Sequence, residues 1–572
     1  MYKNAFKLFL LFLFNGSMVN AQEIAADYKG ASNGNPISAC VFCADPTALE
    51  YNGRLYVYGS NDHQQFIKNG KKGENTYGEI KSIVVFSTDD MVNWTFHGTI
   101  DTKKICSGWT SNPWYQGYGV SWAPSVTWRH NENTGKDEFF LYFCNSSHGV
   151  GVLTANSPIG PWKSPLSRLM IHYDTSGANK IGTNANFDPG VVIDENGVGW
   201  ISFGGLGPSQ MMPEAARIVK LKPSMTAVDG EAVKIPAPYH FEANELNVMD
   251  GKFVYTYCSN WAERKDSEWN AYKKEKGINV SKPNTCTMCY MVSDDPTNPD
   301  SWVYKGVYGP HPGMGTNNNH SHLQKFQGNY YYIYHGAPLM QSWQKAGIID
   351  NSTSIFRSIC VNKITVNESA QRINTVTPNL TGVTAIKNLN PYELQQAETM
   401  ASAGGIAYED FSNISKNTSL STLGNDASRN LQIKMPVGSW TSVRKVGFGT
   451  NGASAFTLRA KGTGKLEIRL ASRTAPASAI VEFSSTSFTD VSIDIDSTKF
   501  TGTKNVFFVF SEANNVQFDA WQFTENLPEG IEDIMVNGPS SLVNGIYDLN
   551  GRRQQRLQRG INIIDGKKVL VR

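Results

Sequence analysis

The sequence has almost no imbalance of charge: 52 lysines and arginines stand against 50 aspartates and glutamates, a net of +2. Near-neutrality argues against nucleic acid or an anionic membrane surface as partner. Beyond the first residues no apolar run is long enough to cross a bilayer, so no transmembrane segment is expected. Cysteine is sparse, eight in 572 residues. The pairs Cys40-x-x-Cys43 and Cys286-x-x-Cys289 lie far apart and lack the glycines of a zinc knuckle. Local disulfides or buried thiols are expected there rather than a zinc site. The apolar run near the start, Leu8–Phe14, is short, follows Lys3 and Lys7, and leads to the small-residue pattern Val19-Asn20-Ala21. It reads as an export signal over residues 1–21, with no cysteine directly after Ala21 to carry a lipid. The mature protein is therefore expected to be periplasmic, cell-surface or secreted.

What the chain does have is turn formers and aromatics: 51 glycines, 25 prolines and 11% Phe, Trp and Tyr, the profile of an all-β protein. Its length calls for more than one domain. Five segments share a turn glycine, an aromatic or β-branched strand and a small or polar stop. They run from Asn52-Gly53 to Ser60, Gly135 to Asn145, Asn196-Gly197 to Gly204, Asp250-Gly251 to Ser259, and Gln327-Gly328 to His335. Five hairpin units predict a five-bladed β-propeller over residues 22–388, in preference to one large sandwich. The texture changes at Asn388-Leu389-Asn390-Pro391. Residues 389–526 carry short alternating strands with Ser, Thr and Gly turns, which predict a separate β-sandwich of jelly-roll type. Residues 527–572 form a tail too short for its own core.

Three acids stand just before hairpin units, in Ala44-Asp45-Pro46, Phe187-Asp188-Pro189 and Phe241-Glu242-Ala243. Asp-Pro is also a common loop opener, so either aspartate alone would read as a turn residue. Recurrence in a radial fold changes that reading, because each blade would bring one acid to a shared centre. Hydrolysis of a glycosidic bond needs a base, an acid and an environment that separates their pKa values. Glu245 rivals Glu242; in an extended strand the two point to opposite faces, and parity does not say which face is the pocket.

The Ala44–Tyr58 run, Met91-Val92-Asn93-Trp94, Ser121-Trp122-Ala123-Pro124-Ser125, Val150–Trp162, Phe187-Asp188-Pro189 and Phe241-Glu242 ahead of Gly251–Asn260 together resemble glycoside hydrolase family 43, and within it arabinoxylan arabinofuranohydrolases. The resemblance spans about residues 33–526. It implies an inverting enzyme on a five-bladed propeller that releases α-L-arabinofuranosyl groups from arabinoxylan or its oligosaccharides. A β-xylosidase using the same acids is the alternative reaction, and a non-catalytic glycan-binding propeller the alternative class. By position, Asp45 would be the general base, Glu242 the general acid, and Asp188 the group that orients Glu242 and raises its pKa. His320 would lie under the sugar or beside an ion, and Arg357 would reach the sugar hydroxyls; Trp122, ahead of Ala-Pro, reads either as pocket lining or as blade packing. The sequence departs from relatives that carry two adjacent histidines, since Ser321 separates His320 from His322.

Gln396-Ala397-Glu398-Thr399 and Phe518-Asp519-Ala520-Trp521 resemble the two ends of family 6 carbohydrate-binding modules. That resemblance implies a structural calcium held by Gln396, Glu398 and Asp519. The family 43 resemblance implies a second calcium near His320 only as an option. Trp440 reads as core, and the loop tryptophan expected near Phe488 for sugar stacking is missing. The tail resembles C-terminal sorting segments of the type-nine secretion class.

Overall fold

A computed structural model of the chain describes residues 23–30, 34–311, 313, 318–413, 418–419, 431–527 and short stretches between 531 and 571. The export signal read over residues 1–21 lies outside the described residues. The first blade is antiparallel: β1 (Ala44–Tyr51), β2 (Arg54–Ser60), β3 (Ile83–Thr88) and β4 (Trp94–Ile100). The second holds β5 (Trp122–Asn131), β6 (Lys136–Cys144), β7 (Gly149–Ala155) and β8 (Ile171–His172). The third holds β9 (Gly190–Ile193), β10 (Gly199–Phe203), β11 (Arg217–Leu221) and β12 (Val228–Lys234). The fourth holds β13 (His240–Met249), β14 (Lys252–Ser259), β15 (Met288–Ser293) and β16 (Val303–Gly309). The fifth has three strands, β17 (Ser321–Phe326), β18 (Asn329–Gly336) and β19 (Ser358–Ile364). Its outer edge is closed by the N-terminal segment, whose Ile37 N–H donates to the Ile359 carbonyl at 2.9 Å. β1, β5, β9, β13 and β17 neighbour one another around the axis.

Each hairpin read from the sequence is the first turn of a blade, so the expected five-bladed propeller is the observed fold. Asn52-Gly53, Asp250-Gly251 and Gln327-Gly328 all take φ between 48° and 74°, as two-residue turns matched to strand twist require. The blades pack face to face, so their middle strands are apolar on both sides. In β3, Ile83 and Val85 join the core shared with the second blade. Val84 and Phe86 point the other way, toward the fifth blade.

A small hairpin, β20 (Val366–Asn367) with β21 (Arg372–Ile373), follows the last blade. The second domain then opens with β22 (Gln395–Gln396), β23 (Thr399–Met400) and β24 (Ser402–Gly404), followed by β25 (Phe411–Asn413), β26 (Thr418–Ser419) and β27 (Leu431–Lys434). Its bulk is β28 (Trp440–Gly449), β29 (Ala453–Leu470), β30 (Ala477–Asp494) and β31 (Gly502–Glu525). The long strands fold over rather than run straight. Asn515 sits at φ 54° midway along β31, and the pairing of β29 with β31 shifts register nearby. Beyond the bend the same strand packs on itself: Phe508 lies 4.9 Å from Trp521 and Phe510 5.5 Å from Phe518, ring centre to ring centre. The result is the expected two-layered sandwich. Trp440 is fully buried, its indole N–H on the Ala25 carbonyl, as a core residue should be. In the tail, Gly560–Ile564 pairs antiparallel with Lys567–Val571.

The two domains share a sheet and a core. β23 adds to the outer edge of the first blade by pairing with β4. Asn93 clamps the junction with both ends of its amide: its Oδ1 accepts from Arg444 N and its Nδ2 donates to Arg444 O, each at 2.8 Å. Phe96 of the propeller meets Phe411 of the sandwich at 5.1 Å. Asn93→Ala would remove the side-chain partner of these half-buried backbone groups, at a cost of up to about 1–3 kcal/mol. The expected outcome is a melting temperature a few degrees lower with turnover of small aryl glycosides unchanged, read by calorimetry and a chromogenic assay.

Candidate active site

Four of the five inner strands begin with the same local distortion. Asp45, Ala123, Asp188 and Ala243 all sit at positive φ, between 41° and 62°. In the first, second and fourth blades the pairing with the next strand shifts register at that point. Such conformations cost energy in non-glycine residues and recur where a side chain must be aimed. In the first and third blades the kinked residue is itself the acid. In the fourth blade Glu242 stands one position earlier, so the three acids do not occupy strictly equivalent positions. All three nevertheless converge on one cavity of about 190 Å³, lined also by Tyr77, Trp122, Phe187, Leu206, Asn318, His320 and Arg357. Gly190 makes this convergence possible, because a Cβ there would lie 2.4 Å from the Glu245 Cα of the next blade.

Asp45 is fully engaged. Arg357 Nη1 donates to its Oδ1 at 2.6 Å and Ser60 Oγ to its Oδ2 at 2.7 Å. Its own amide donates to His335 Nδ1, and His335 Nε2 is 3.1 Å from Asn318 Oδ1. Burial alone would raise the Asp45 carboxyl; the Arg357 cation instead holds it well below the usual carboxylate range. Asp188 accepts from Ala243 N at 2.9 Å, which ties it to the residue beside Glu242. Burial and the Asp45 charge raise its pKa. Glu242 faces the cavity half-buried, and burial together with the charges of Asp188 and Asp45 pushes its carboxyl well above the ordinary value. The site thus holds one carboxylate that is ionised and one carboxyl that keeps its proton.

His320 lies between the aspartates, its Nδ1 3.7 Å from Asp45 and 4.0 Å from Asp188. Burial pushes it down to about 3, so it is neutral. Trp122 leans on the cavity wall with its indole N–H on the Tyr77 carbonyl at 3.0 Å. Glu245 is not a member of this site. It is buried, 3.1 Å from His322 Nδ1, so the second histidine of Asn-His-Ser-His pairs with the acid that rivalled Glu242. Sequence reasoning passed over Ser60, Asp62, Tyr77, Phe187, Leu206, Asn318 and His335. Ser60 and His335 were in plain view as the polar stops of two hairpin units, and antiparallel pairing sets such stops opposite the start of an inner strand.

Comparison with known proteins decides the family. The family described as Glycosyl hydrolases family 43 matches residues 33–367. The chain belongs to that family. It is a glycoside hydrolase. A carbohydrate-binding module of family 6 matches residues 396–525. An arabinoxylan arabinofuranohydrolase of Bacillus subtilis is 33% identical over 90% of this chain and 97% of its own length. One of Paenibacillus polymyxa is 34% identical over 87% of this chain and 75% of its own. The crystal structure of a Bacillus subtilis family 43 arabinoxylan arabinofuranohydrolase with cellotetraose superposes with a TM-score of 0.74, at 32% identity over 87% of this chain and 98% of that one.

The residues expected to hold calcium in the family 6 module fit a hard cation. Gln396 Oε1 and Glu398 Oε2 are buried oxygens without a hydrogen-bond partner. Burial and the neighbouring Asp519 charge push Glu398 up to about 8, the strain a bound cation would relieve. Arg459 takes one Asp519 oxygen, at 2.9 Å. Around His320 the fit is poorer, because the Arg357 cation already occupies Asp45. Among the described residues no three His, Cys, Asp or Glu side chains are gathered as a metal site. All eight cysteines are buried free thiols.

Asp188 raises Glu242 through its charge, so Asp188→Asn should let Glu242 lose its proton more easily. The alkaline limb of the kcat/KM profile is expected to move to lower pH by about one unit. An unmoved limb would mean that Asp188 acts on Glu242 by orientation alone.

Proposed function

We propose that this hydrolase removes α-L-arabinofuranosyl side groups from arabinoxylan or its oligosaccharides by single displacement, with inversion at the anomeric carbon. The observation that carries the reading is the division of charge around one small cavity. Asp45, ionised under Arg357, would take a proton from the attacking water, while Glu242, still protonated, would give its proton to the departing oxygen. A volume of about 190 Å³ suits a single terminal sugar better than a stretch of chain, falling below the roughly 300–1,000 Å³ of sites for larger ligands. Beside Glu242 the rim carries Phe241 against Trp261, 4.8 Å apart and edge to face. Trp261 is 47% exposed and Leu206 46%, an apolar shelf on which the main chain would lie. The names of the Bacillus and Paenibacillus relatives support the choice of substrate.

In the sandwich, Gln396, Glu398 and Asp519 would hold a calcium ion whose charge offsets the two carboxylates and ties the first strand of the domain to its last. No chemical step passes through it. Export by the N-terminal signal suits a polymeric substrate.

Three measurements follow from this reading. Soluble arabinoxylan should release free arabinose with its backbone uncut, and NMR of the first product should show the β anomer. Xylose as the main product would overturn the substrate, and initial α-arabinose the mechanism. Glu242→Gln should lose about 10²–10⁴-fold on the polysaccharide yet keep most turnover of aryl glycosides with good leaving groups, whereas Asp45→Asn should fail on both. Rigorous chelation should lower the melting temperature with little direct effect on aryl glycoside turnover. An unchanged melting curve would contradict the calcium site.

A further inference from the structure

Arg357 lines the cavity, but three of its five guanidinium N–H groups are committed to carboxylates. Its Nε donates to Asp62 Oδ2 and its Nη2 to Asp62 Oδ1, each at 2.9 Å. Its backbone N–H also donates to Asp62 Oδ2, at 3.1 Å. That fork leaves Nη1 for Asp45. Asp62 heads the helix Asp62–Asn69, immediately after β2, and is fully buried. It does not line the cavity.

We propose that Asp62 is a positioning residue for the hydrolysis: its bidentate grip fixes the guanidinium against Asp45 and balances a cation that would otherwise act undivided on the three active-site carboxyls. The inference rests on the roles given above to Asp45 and Glu242. A guanidinium on a long side chain has many rotamers, and a planar two-point contact with a buried carboxylate selects one. The balance matters because Arg357 is the one lysine or arginine among the described residues that line the cavity. His320 and His335, which face Asp45, are both pushed down by burial. His63, beside Asp62 and stacked on Tyr408 at 4.7 Å, is pushed down as well. Cys43 is pushed well up by burial and by Asp62 and Asp45, and Tyr77, its ring 5.1 Å from the guanidinium, up to about 12. These groups are neutral at working pH. Asp188 and Glu242 complete the set, and the Arg357 cation opposes the rise of both.

Two substitutions separate charge from position. Asp62→Asn keeps the shape and removes the countercharge, so Asp45 and Glu242 should both ionise at lower pH. The alkaline limb of kcat/KM on an aryl glycoside is then expected to move down by about half a unit or more. Asp62→Glu keeps the charge but displaces the guanidinium, so kcat should fall roughly 10- to 100-fold with the limb moved less than in Asp62→Asn. A folded Asp62→Asn with an unshifted limb would overturn the proposal, as would Asp62→Glu with wild-type kcat. If Asp62→Asn does not fold, the Asp62→Glu arm decides. Both arms are run on whichever of an aryl arabinofuranoside and an aryl xyloside the wild type cleaves, so a wrong substrate assignment shows in the wild type and a wrong role for Asp62 in the comparison.

Discussion

The contact between Arg357 and Asp45 is the interaction on which the chemistry turns. Without it three carboxyls would crowd one small cavity, where burial would raise all three pKa values and repulsion would oppose a second ionisation wherever the first fell. The guanidinium breaks that symmetry. It favours the ionised form at Asp45, and the ionised Asp45, with Asp188, then favours the protonated form at Glu242. One cation thereby specifies both a base and an acid. The distances show how tightly this is built: Arg357 and Asp62 come from segments far apart in the chain, and both are buried.

The backbone supplies the aim. A propeller brings the starts of its inner strands to one end of the axis, but regular strands would alternate their side chains between neighbouring blades. The left-handed residues at Asp45, Asp188 and Ala243 interrupt that alternation and turn three acids toward the centre. The same break explains why Glu242 enters the cavity while Glu245, past the bulge, turns to His322. At the far edge of the first blade the sandwich continues the sheet, so the module is fixed to the propeller rather than tethered to it.

Much of this was legible in the sequence, for particular reasons. The five hairpins announced themselves because two-residue turns demand glycine and because aromatic strands end at polar stops. Asp45, Asp188 and Glu242 were visible as acids ahead of those hairpins, and the resemblance to family 43 gave each a role. Strand parity could not choose between Glu242 and Glu245, since the bulge that separates them depends on a left-handed alanine that no propensity reveals. Asp62 was hidden for a different reason. Its meaning lies in a partner 295 positions away, and an aspartate opening a short helix reads locally as a cap. The role foreseen for Arg357 was contact with the sugar, and the structure adds two carboxylates that hold it.

The central claim concerns where protons sit, and neutron diffraction of deuterated crystals near pH 6 observes them directly. The account predicts a deuteron on the Glu242 carboxyl and none on Asp45, with the guanidinium of Arg357 donating to both Asp45 and Asp62. A deuteron on Asp45, or a bare Glu242, would contradict it.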